Sequence, residues 1–417
     1  MGQLGDDGFA EGGGVMTLAA ALAELDARVR PVVSAKNVPL GRARGRILAD
    51  DIVATTDLPP HDNAAVDGYA LRHADLETGV ATRLAVVGRA AAGHPHAGAV
   101  PPGCAVRIFT GAPVPAGLDT ILMQEDCRAE GDHVVIPPGS RRGANLRRAG
   151  EDVAAGSTVL ARGLRLEPPH IGLAAALGCA DVPVFRRLRV AVFSSGDELV
   201  GPGQTPAPGQ IRDANRYALM ALLERLGTRV TDLGILPDRF PVIRDGLAAA
   251  AAGHDLIVTS GGMSVGEEDH VKAAVTTLGR LHLWRLAIKP GRPIGFGQVA
   301  GAAFIGLPGN PVALVVTFLR LARPVIVRLA GGVSEALPCY PVQAGFSLNK
   351  RPGRREWVGA TLDREAGGEP VARMFPRQGS GILSSLVAAD GLIELDEEIA
   401  AVEPGMTVPF LPFHGLM

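Results

Sequence analysis

Apolar positions divide the chain into stretches of two textures. From residue 188 onward, short β-branched runs alternate with runs of helical spacing. Leu256, Ile257 and Val258 form an unbroken apolar run that predicts a strand buried on both faces. Residues 189–193 and 229–233 read as neighbouring strands, and 281–288 as a later one. Between them Leu219, Leu222, Leu223 and Leu226 share one helical face, with Asn215 as the expected N-cap and Gly227 at the end. A second helix passes through Ile243 and Leu247 to Ala252. A third begins near Val271 with Asp269 as its cap. Residues 312–329 form a long helix with Pro324 at a kink. This β-α-β-α-β order predicts a mostly parallel sheet with right-handed crossovers.

The flanks read differently. Thr17 caps a helix carrying Leu18, Ala21, Leu22, Leu25 and Val29, and Pro31 ends it. Residues 43–52 form a second short element, and a strand starts near Tyr69. Runs at 84–87, 106–109, 120–123 and 134–136, punctuated by Gly and Pro, predict a small β domain. Pro168, Pro169 and Gly178 bracket a short helix. After Gly331, strands at 340–344, 356–362, 392–394 and 407–411 predict a last β domain.

Composition narrows the function classes. With 417 residues, 47% hydrophobic and 20% charged, the chain is globular and long enough for several domains. A net charge of −2 argues against nucleic acid as a partner. No apolar run is long enough for a membrane span. Met1 to Gly14 is acidic and glycine-rich, lacks the pattern of a signal peptide and is expected to be disordered. Cys104, Cys127, Cys179 and Cys339 are far apart and read as reduced, mostly buried thiols of a cytoplasmic protein.

Candidate chemistry concentrates after strand ends. Thr259, Ser260, Gly261, Gly262, Ser264 and Gly266 offer hydroxyls and backbone N–H groups to an anion. Glu267, Glu268 and Asp269 would repel a bare phosphate, which fits a divalent cation held between acids and anion. The loop at 194–198, Asp238 and the turn at 289–292 follow other strands and meet the same sheet edge. Lys289 and Arg292, with Arg285 nearby, read as an anion site or as a solvated basic turn. Asp62 and Asp67 read as Asx-turns or as functional acids, and Thr110 as a turn residue or an exposed hydroxyl. Four arginines at 141–148 either bind an anion or pair with Glu151 and Asp152.

Nine motifs occur in order: Asp62-Asn-Ala-Ala-Val-Asp-Gly-Tyr-Ala70, Thr110-Gly-Ala112, Asn145-Leu-Arg-Arg-Ala-Gly-Glu-Asp152, Ser195-Gly-Asp-Glu-Leu199, Asp213-Ala-Asn215, Ser260-Gly-Gly-Met-Ser-Val-Gly266 with Asp269, Lys289-Pro-Gly291, Leu307-Pro-Gly-Asn-Pro311 and Gln378-Gly-Ser380. In these the chain resembles the molybdopterin molybdenumtransferase family, shared with the E domain of gephyrin. The resemblance covers nearly everything after the first fifteen residues. It implies a multidomain α/β plus β fold. A central molybdopterin-binding α/β domain with a mostly parallel sheet is joined by two flanking small β domains and a mixed elongated domain. The expected layout is a disordered 1–15, a mixed domain from 16–55 and 150–186, a small β domain over 56–149, the α/β domain over 187–331 and a β-barrel-like domain over 332–417. The implied reaction joins adenylylated molybdopterin and molybdate, cleaves the pyrophosphate bond, releases AMP and leaves molybdenum on the dithiolene. Mg2+, a homodimer and the pathway's adenylyltransferase as a partner are also implied.

Carried over residue by residue, catalytic roles fall on Asp62, Thr110, Glu198, Asp238, Asp269 and Lys289, with Glu198, Asp238 and Asp269 as metal ligands. Substrate contacts are expected from Ser195, Gly196, Asp197, Asp213, Asn215, Ser260, Gly261, Gly262, Ser264, Gly266, Arg285, Pro290, Gly291, Arg292, Pro308, Gly309, Asn310 and Ser380. Ala64 and Val66 depart from the family's Ser and Met. Arg285 stands where Lys is common, and Gly359 where an Arg often contacts molybdate, leaving Arg354 or Arg355 as substitutes. Two rival readings share parts of the pattern: a molybdopterin adenylyltransferase and a gephyrin-like scaffold.

Overall fold

Leu256–Ser260 runs inside a seven-stranded sheet and is buried along its whole length. The sheet order is Val15–Met16, Gly279–Leu286, Pro293–Val299, Ala302–Leu307, Leu256–Ser260, Arg189–Ser195 and Arg229–Leu236. The last four strands are mutually parallel. Pro293–Val299 runs against both of its neighbours. The computed structural model describes residues 15–262, 270–363 and 368–417.

Alternate residues of each central strand enter different cores. Val190, Val192, Leu256 and Val258 join one hydrophobic cluster, and Ala191, Phe193 and Ile257 the other. This two-sided burial is why the strands read as continuous apolar runs. One face is covered by α1 (Leu18–Arg28), and its Leu18, Ala21 and Leu25 are buried there. Helix α2 (Pro168–Ala176) belongs to a separate core in the flanking part. The first face also carries α3 (Asn215–Arg225), while α4 (Phe240–Gly253) and α5 (His270–Leu278) cover the opposite one. Helices α6 (Pro311–Thr317) and α7 (Arg323–Leu329) return to the first face.

Several sequence expectations are corrected here. Thr17 caps α1 as expected, accepting the Ala20 N–H at 3.2 Å. Asn215 is not a cap: it is the first residue of α3, and Asp213 accepts the Arg216 N–H instead at 3.2 Å. The expected single helix over 312–329 is interrupted by a π-helical turn, Phe318–Ala322, just before Pro324. Proline lacks an N–H, and a widened turn accommodates the missing bond. Residues 43–52 form no single element: Ile47 and Leu48 make isolated bridges, and Ile52 opens the two-residue strand Ile52–Val53. Val15, expected to be disordered, pairs with Arg285. The hairpin of Pro293–Val299 and Ala302–Leu307 escaped detection because its strands are rich in glycine and alanine. Gly297 is required there, since a Cβ would collide with the Arg280 carbonyl.

Two segments far apart in sequence build one small core: Leu48, Ile52 and Ala54 pack with Leu160, Leu166, Val182 and Val184. A six-stranded sheet between them contains Gly68–Leu71, Thr82–Ala90, Cys104–Ile108, Thr120–Met123, Arg128–Glu130 and His133–Ile136. Toward the C-terminus Arg355–Asp363, Val371–Met374, Tyr340–Ala344, Thr407–Pro412 and Gly391–Leu395 pair in turn, and the last pairs with the first, closing a barrel. Val371–Met374 and α8 (Leu383–Ala388) were not anticipated. Gly359 faces α8, where a Cβ would stand 3.4 Å from the Ser385 carbonyl, an ordinary contact. The barrel packs on the central sheet's helices through Trp357, Leu386, Leu392, Leu411 and Phe413.

Candidate functional site

The carboxyl ends of the parallel strands all meet one edge. Ser260 lies beside Leu307 on one side and Ser194 on the other, and Ser195 beside Leu236. Leu286 ends on the same edge, because Arg285 pairs with Pro293 where the antiparallel strand begins. Among the described residues two cavities open there. They share Gly261 and Gly309 as a dividing ridge.

The ridge is made by two turns in close contact. Gly261 has φ +91 and donates its N–H to the Leu307 carbonyl at 3.0 Å. A Cβ on Gly309 would stand 3.7 Å from the Gly261 Cα. Asn215 fastens the two turns together, donating to Ser260 Oγ at 2.9 Å and to the Gly309 carbonyl at 2.6 Å. This bridging explains why Asn215 begins a helix without capping it.

The larger cavity, about 580 Å³, lies between the sheet edge and the barrel. Lys289, Pro290, Gly291, Arg292, Pro308, Asn310 and Gly262 line one side, and Arg354, Glu356, Gln378 and Ser380 the other. Ile288–Lys289 continues directly into the barrel sheet, with Lys289 paired to Glu356. That pairing puts Lys289 Nζ 3.0 Å from one Glu356 oxygen, while Arg354 reaches the other oxygen at 3.3 Å. The Glu356 side chain is only 2% exposed, so a buried carboxylate joins two cations across the cavity wall. Arg292 is a third cation in the lining. Arg285 is exposed and is not among the lining residues. Arg355 turns away to Glu394, Asp396 and Glu397. Arg354 is therefore the barrel's cation in this cavity.

The basic turn is held against α6 by Gly291, which has φ +97. A Cβ there would lie 2.6 Å from Thr317 Cγ2 and 3.3 Å from the Ala313 carbonyl. Gly291→Ala is expected to lower stability by about 1–3 kcal/mol, from backbone strain and the clash together. Adding Thr317→Ser removes the methyl and should recover part of that loss. Chemical denaturation of the single and double variants measures both; equal midpoints for Gly291→Ala and the parent would contradict the packing described.

The smaller cavity, about 300 Å³, is lined by Ser194, Ser195, Glu198, Arg212, Asp213, Asn215 and Ser260. Ser194 is 1% exposed, and its hydroxyl finds no partner among the described residues. An unbonded buried hydroxyl beside a polar cavity is a place for a ligand or water to bond. Asp213 instead commits its carboxylate to buried Arg216, at 2.9 Å. Gly196, with φ +146, lets the Glu198 carboxylate fold against its backbone. Asp197 accepts the Asp238 N–H at 3.3 Å, linking two of the edge loops outside either lining.

Ser264, Gly266, Glu267, Glu268 and Asp269 lie outside the described residues. Among the described residues, no three His, Cys, Asp or Glu side chains gather as a metal-binding group. Asp62 and Thr110 lie elsewhere. Asp62 accepts the Ala149 N–H at 2.8 Å, with Arg148 at 3.7 Å. Thr110 is held by Asp67, which accepts both its N–H at 2.8 Å and its hydroxyl at 2.7 Å. Those two bonds hold the Asp67 carboxyl below its usual range. Of the four arginines at 141–148, Arg142 pairs with Asp119 at 2.7 Å rather than with Glu151 or Asp152. Sequence reasoning missed Glu356: a lone acid in a barrel strand carries no local signal, and only the pairing with Lys289 gives it a place.

An open α/β sheet with paired cavities at its carboxyl edge, one of them closed by a barrel, defines a ligand-binding α/β protein with flanking domains. The "MoeA N-terminal region (domain I and II)" model matches residues 16–178, the "Probable molybdopterin binding domain" model 191–328 and the "MoeA C-terminal region (domain IV)" model 341–413. The molybdopterin molybdenumtransferase of Haemophilus influenzae is 39% identical over 91% of this chain and 94% of its own length. That of a Nostoc species is 40% identical over 86% of this chain and 84% of its own. A crystal structure of a molybdopterin biosynthesis protein from Pyrococcus horikoshii matches with a TM-score of 0.82 and 28% identity, covering 96% of this chain and 100% of that one. The chain belongs to the molybdopterin molybdenumtransferase family.

Proposed function

We propose that this protein carries out the metal-insertion step of molybdenum cofactor biosynthesis. Adenylylated molybdopterin and molybdate bind at the carboxyl edge, the pyrophosphate bond is cleaved, AMP leaves, and molybdenum ends on the dithiolene. The observation that carries this reading is the cationic cavity of Lys289, Arg292 and Arg354, separated by the Gly261–Gly309 ridge from a hydroxyl-lined one. Among the described lining residues, three cations against the carboxylate of Glu356 leave an excess of two positive charges, which suits a tetrahedral dianion such as molybdate. Ser194, Ser195 and Ser260 offer hydroxyls to the organic substrate in the smaller cavity.

Magnesium shared with a pyrophosphate takes one or two carboxylates and several waters rather than a closed protein cage. Glu198, with Asp238 and Asp269, would hold it, and it would neutralise charge developing on the leaving phosphate. Asp62 and Thr110, with no described bond to either cavity, fit a role in a homodimer, where the segments around them complete a partner's site. The two-segment core and the separate β cores support a division into 16–55 with 150–186, 56–149, 187–331 and 332–417. No described helix is long and apolar enough to cross a membrane. A cytoplasmic location and association with the pathway's adenylyltransferase complete the reading.

The test supplies purified protein with adenylylated molybdopterin, magnesium and molybdate. AMP release and molybdenum on the product, both dependent on molybdate, are the expected result. Formation of adenylylated molybdopterin from ATP and free molybdopterin would identify the adenylyltransferase instead. Neither reaction, under conditions where the substrates remain intact, would favour the scaffold.

A further inference from the structure

At the opposite edge of the central sheet, the strands' amino ends meet the two-segment core around a small cavity of about 20 Å³. Arg46, Arg165, Arg186 and Arg187 line it, with Gly227 between them. Arg186 has a counter-charge, the buried Asp255 carboxylate at 2.6 Å. Among the described residues the other three form no ion pair, although Glu167 acts on Arg165 from a distance: their described hydrogen bonds go to carbonyls. Arg46 donates to Phe185 at 2.6 Å, Arg165 to Gly45 at 2.9 Å and Arg187 to Gly227 at 2.9 Å.

These guanidiniums converge. A Cβ on Gly227 would stand 3.2 Å from Arg165 Nη1 and 3.5 Å from Arg187 Nη1. Arg46 is 8% exposed, so its charge cannot be left wholly to solvent. Burial, and then repulsion from Arg187, push the Arg46 guanidinium below its usual range. Burial does the same to Arg165, against the pull of Glu167. Each guanidinium has five N–H donors, so a carbonyl bond leaves others unused. A buried cation without a partner is costly, and converging ones more so.

We propose that this cavity binds a small inorganic anion, which supplies the missing counter-charge and ties the turn at 45–47 to the sheet. The space is enough for one water-sized particle, so a halide ion fits inside it. An oxyanion would have to stand at the mouth. The site is remote from the carboxyl edge, and the proposal does not depend on the reaction assigned there.

Thermal unfolding at fixed ionic strength tests it, with chloride replacing gluconate stepwise from about 1 to 200 mM. Wild-type protein is expected to gain roughly 2 °C or more along a saturating curve, as mass action requires for a ligand of the folded state. Arg187→Gln should flatten the curve and, in gluconate alone, melt no lower than wild type, because it relieves repulsion. Arg187 is exposed, so this variant keeps the buried core intact. Arg165→Gln is a second variant with the same expectation. A sulfate series distinguishes occupants: saturation at lower concentration than chloride would support the anion site and assign the mouth to an oxyanion. The same chloride response in wild type and Arg187→Gln, or no response in either, would overturn the proposal.

Discussion

Lys289→Ala is expected to raise the molybdate concentration needed for half-maximal insertion by about ten- to a hundredfold. Affinity for adenylylated molybdopterin should change by less than about threefold. The magnitude follows from a lost charge-assisted bond, worth roughly 1.5–3 kcal/mol. Lys289 lies in the larger cavity, while the hydroxyls assigned to the organic substrate lie across the ridge. One complication is physical: removing Lys289 leaves the buried Glu356 with Arg354 alone. Part of any loss would then come from the broken Lys289–Glu356 pair rather than from molybdate. Glu356→Gln separates the effects. On its own it frees Lys289 and should tighten molybdate binding, and in the double variant it should remove the carboxylate's charge without restoring insertion. Titrations of molybdate and of nucleotide substrate measure the two affinities separately. Loss of substrate affinity with unchanged molybdate dependence would assign Lys289 to the pyrophosphate.

Asp255→Asn is expected to destabilise the fold by about 3 kcal/mol at pH 7. The carboxylate is 6% exposed and receives both Arg186 Nη atoms at 2.6 and 2.8 Å, the Arg189 N–H at 2.9 Å and the Arg189 guanidinium at 3.3 Å. Removing one member of a buried, hydrogen-bonded pair costs more than the pair contributes when intact, because the partner is left uncompensated. Burial pushes the Asp255 carboxyl up, but the bonds from Arg186 and Arg189 outweigh it and hold it below the usual carboxylate value. The sign follows from that shift. A carboxyl whose folded value is depressed contributes stability that is complete above its unfolded value, about 3.9, and is lost as pH falls through the folded value. The stability gap between wild type and Asp255→Asn should therefore be constant from neutral pH to about pH 5 and narrow below about pH 4. Denaturation at a series of pH values measures this. A gap that widens on acidification would contradict the depressed value.

The sequence by itself determined the elements whose signals are local. Thr17 is an N-cap because its side chain reaches an N–H three residues on, a relation within one turn of chain. Leu256 to Val258 predicts a doubly buried strand because both faces demand apolar residues. Parallel strands with helical crossovers place successive loops on one edge, so the convergence of the 195, 260 and 289 segments was legible before any contact was known. The family motifs were legible for the same reason: each is a short run.

Tertiary structure decided what depends on pairing between distant residues. The glycine-rich hairpin at 293–307 has weak strand propensity, and only close packing against neighbouring strands makes its glycines necessary. Asn215 carries a capping residue's chemistry, yet its amide bridges Ser260 and Gly309, neither near it in sequence. Arg285 and Lys289 are four residues apart on one strand-like run. The chain leaves the central sheet between them, so Lys289 joins the barrel and Arg285 does not. Glu356 and the arginines at the amino edge were invisible for the same physical reason. A charge acquires its meaning from burial and from the charges folded beside it, and neither is written in a run of neighbouring residues.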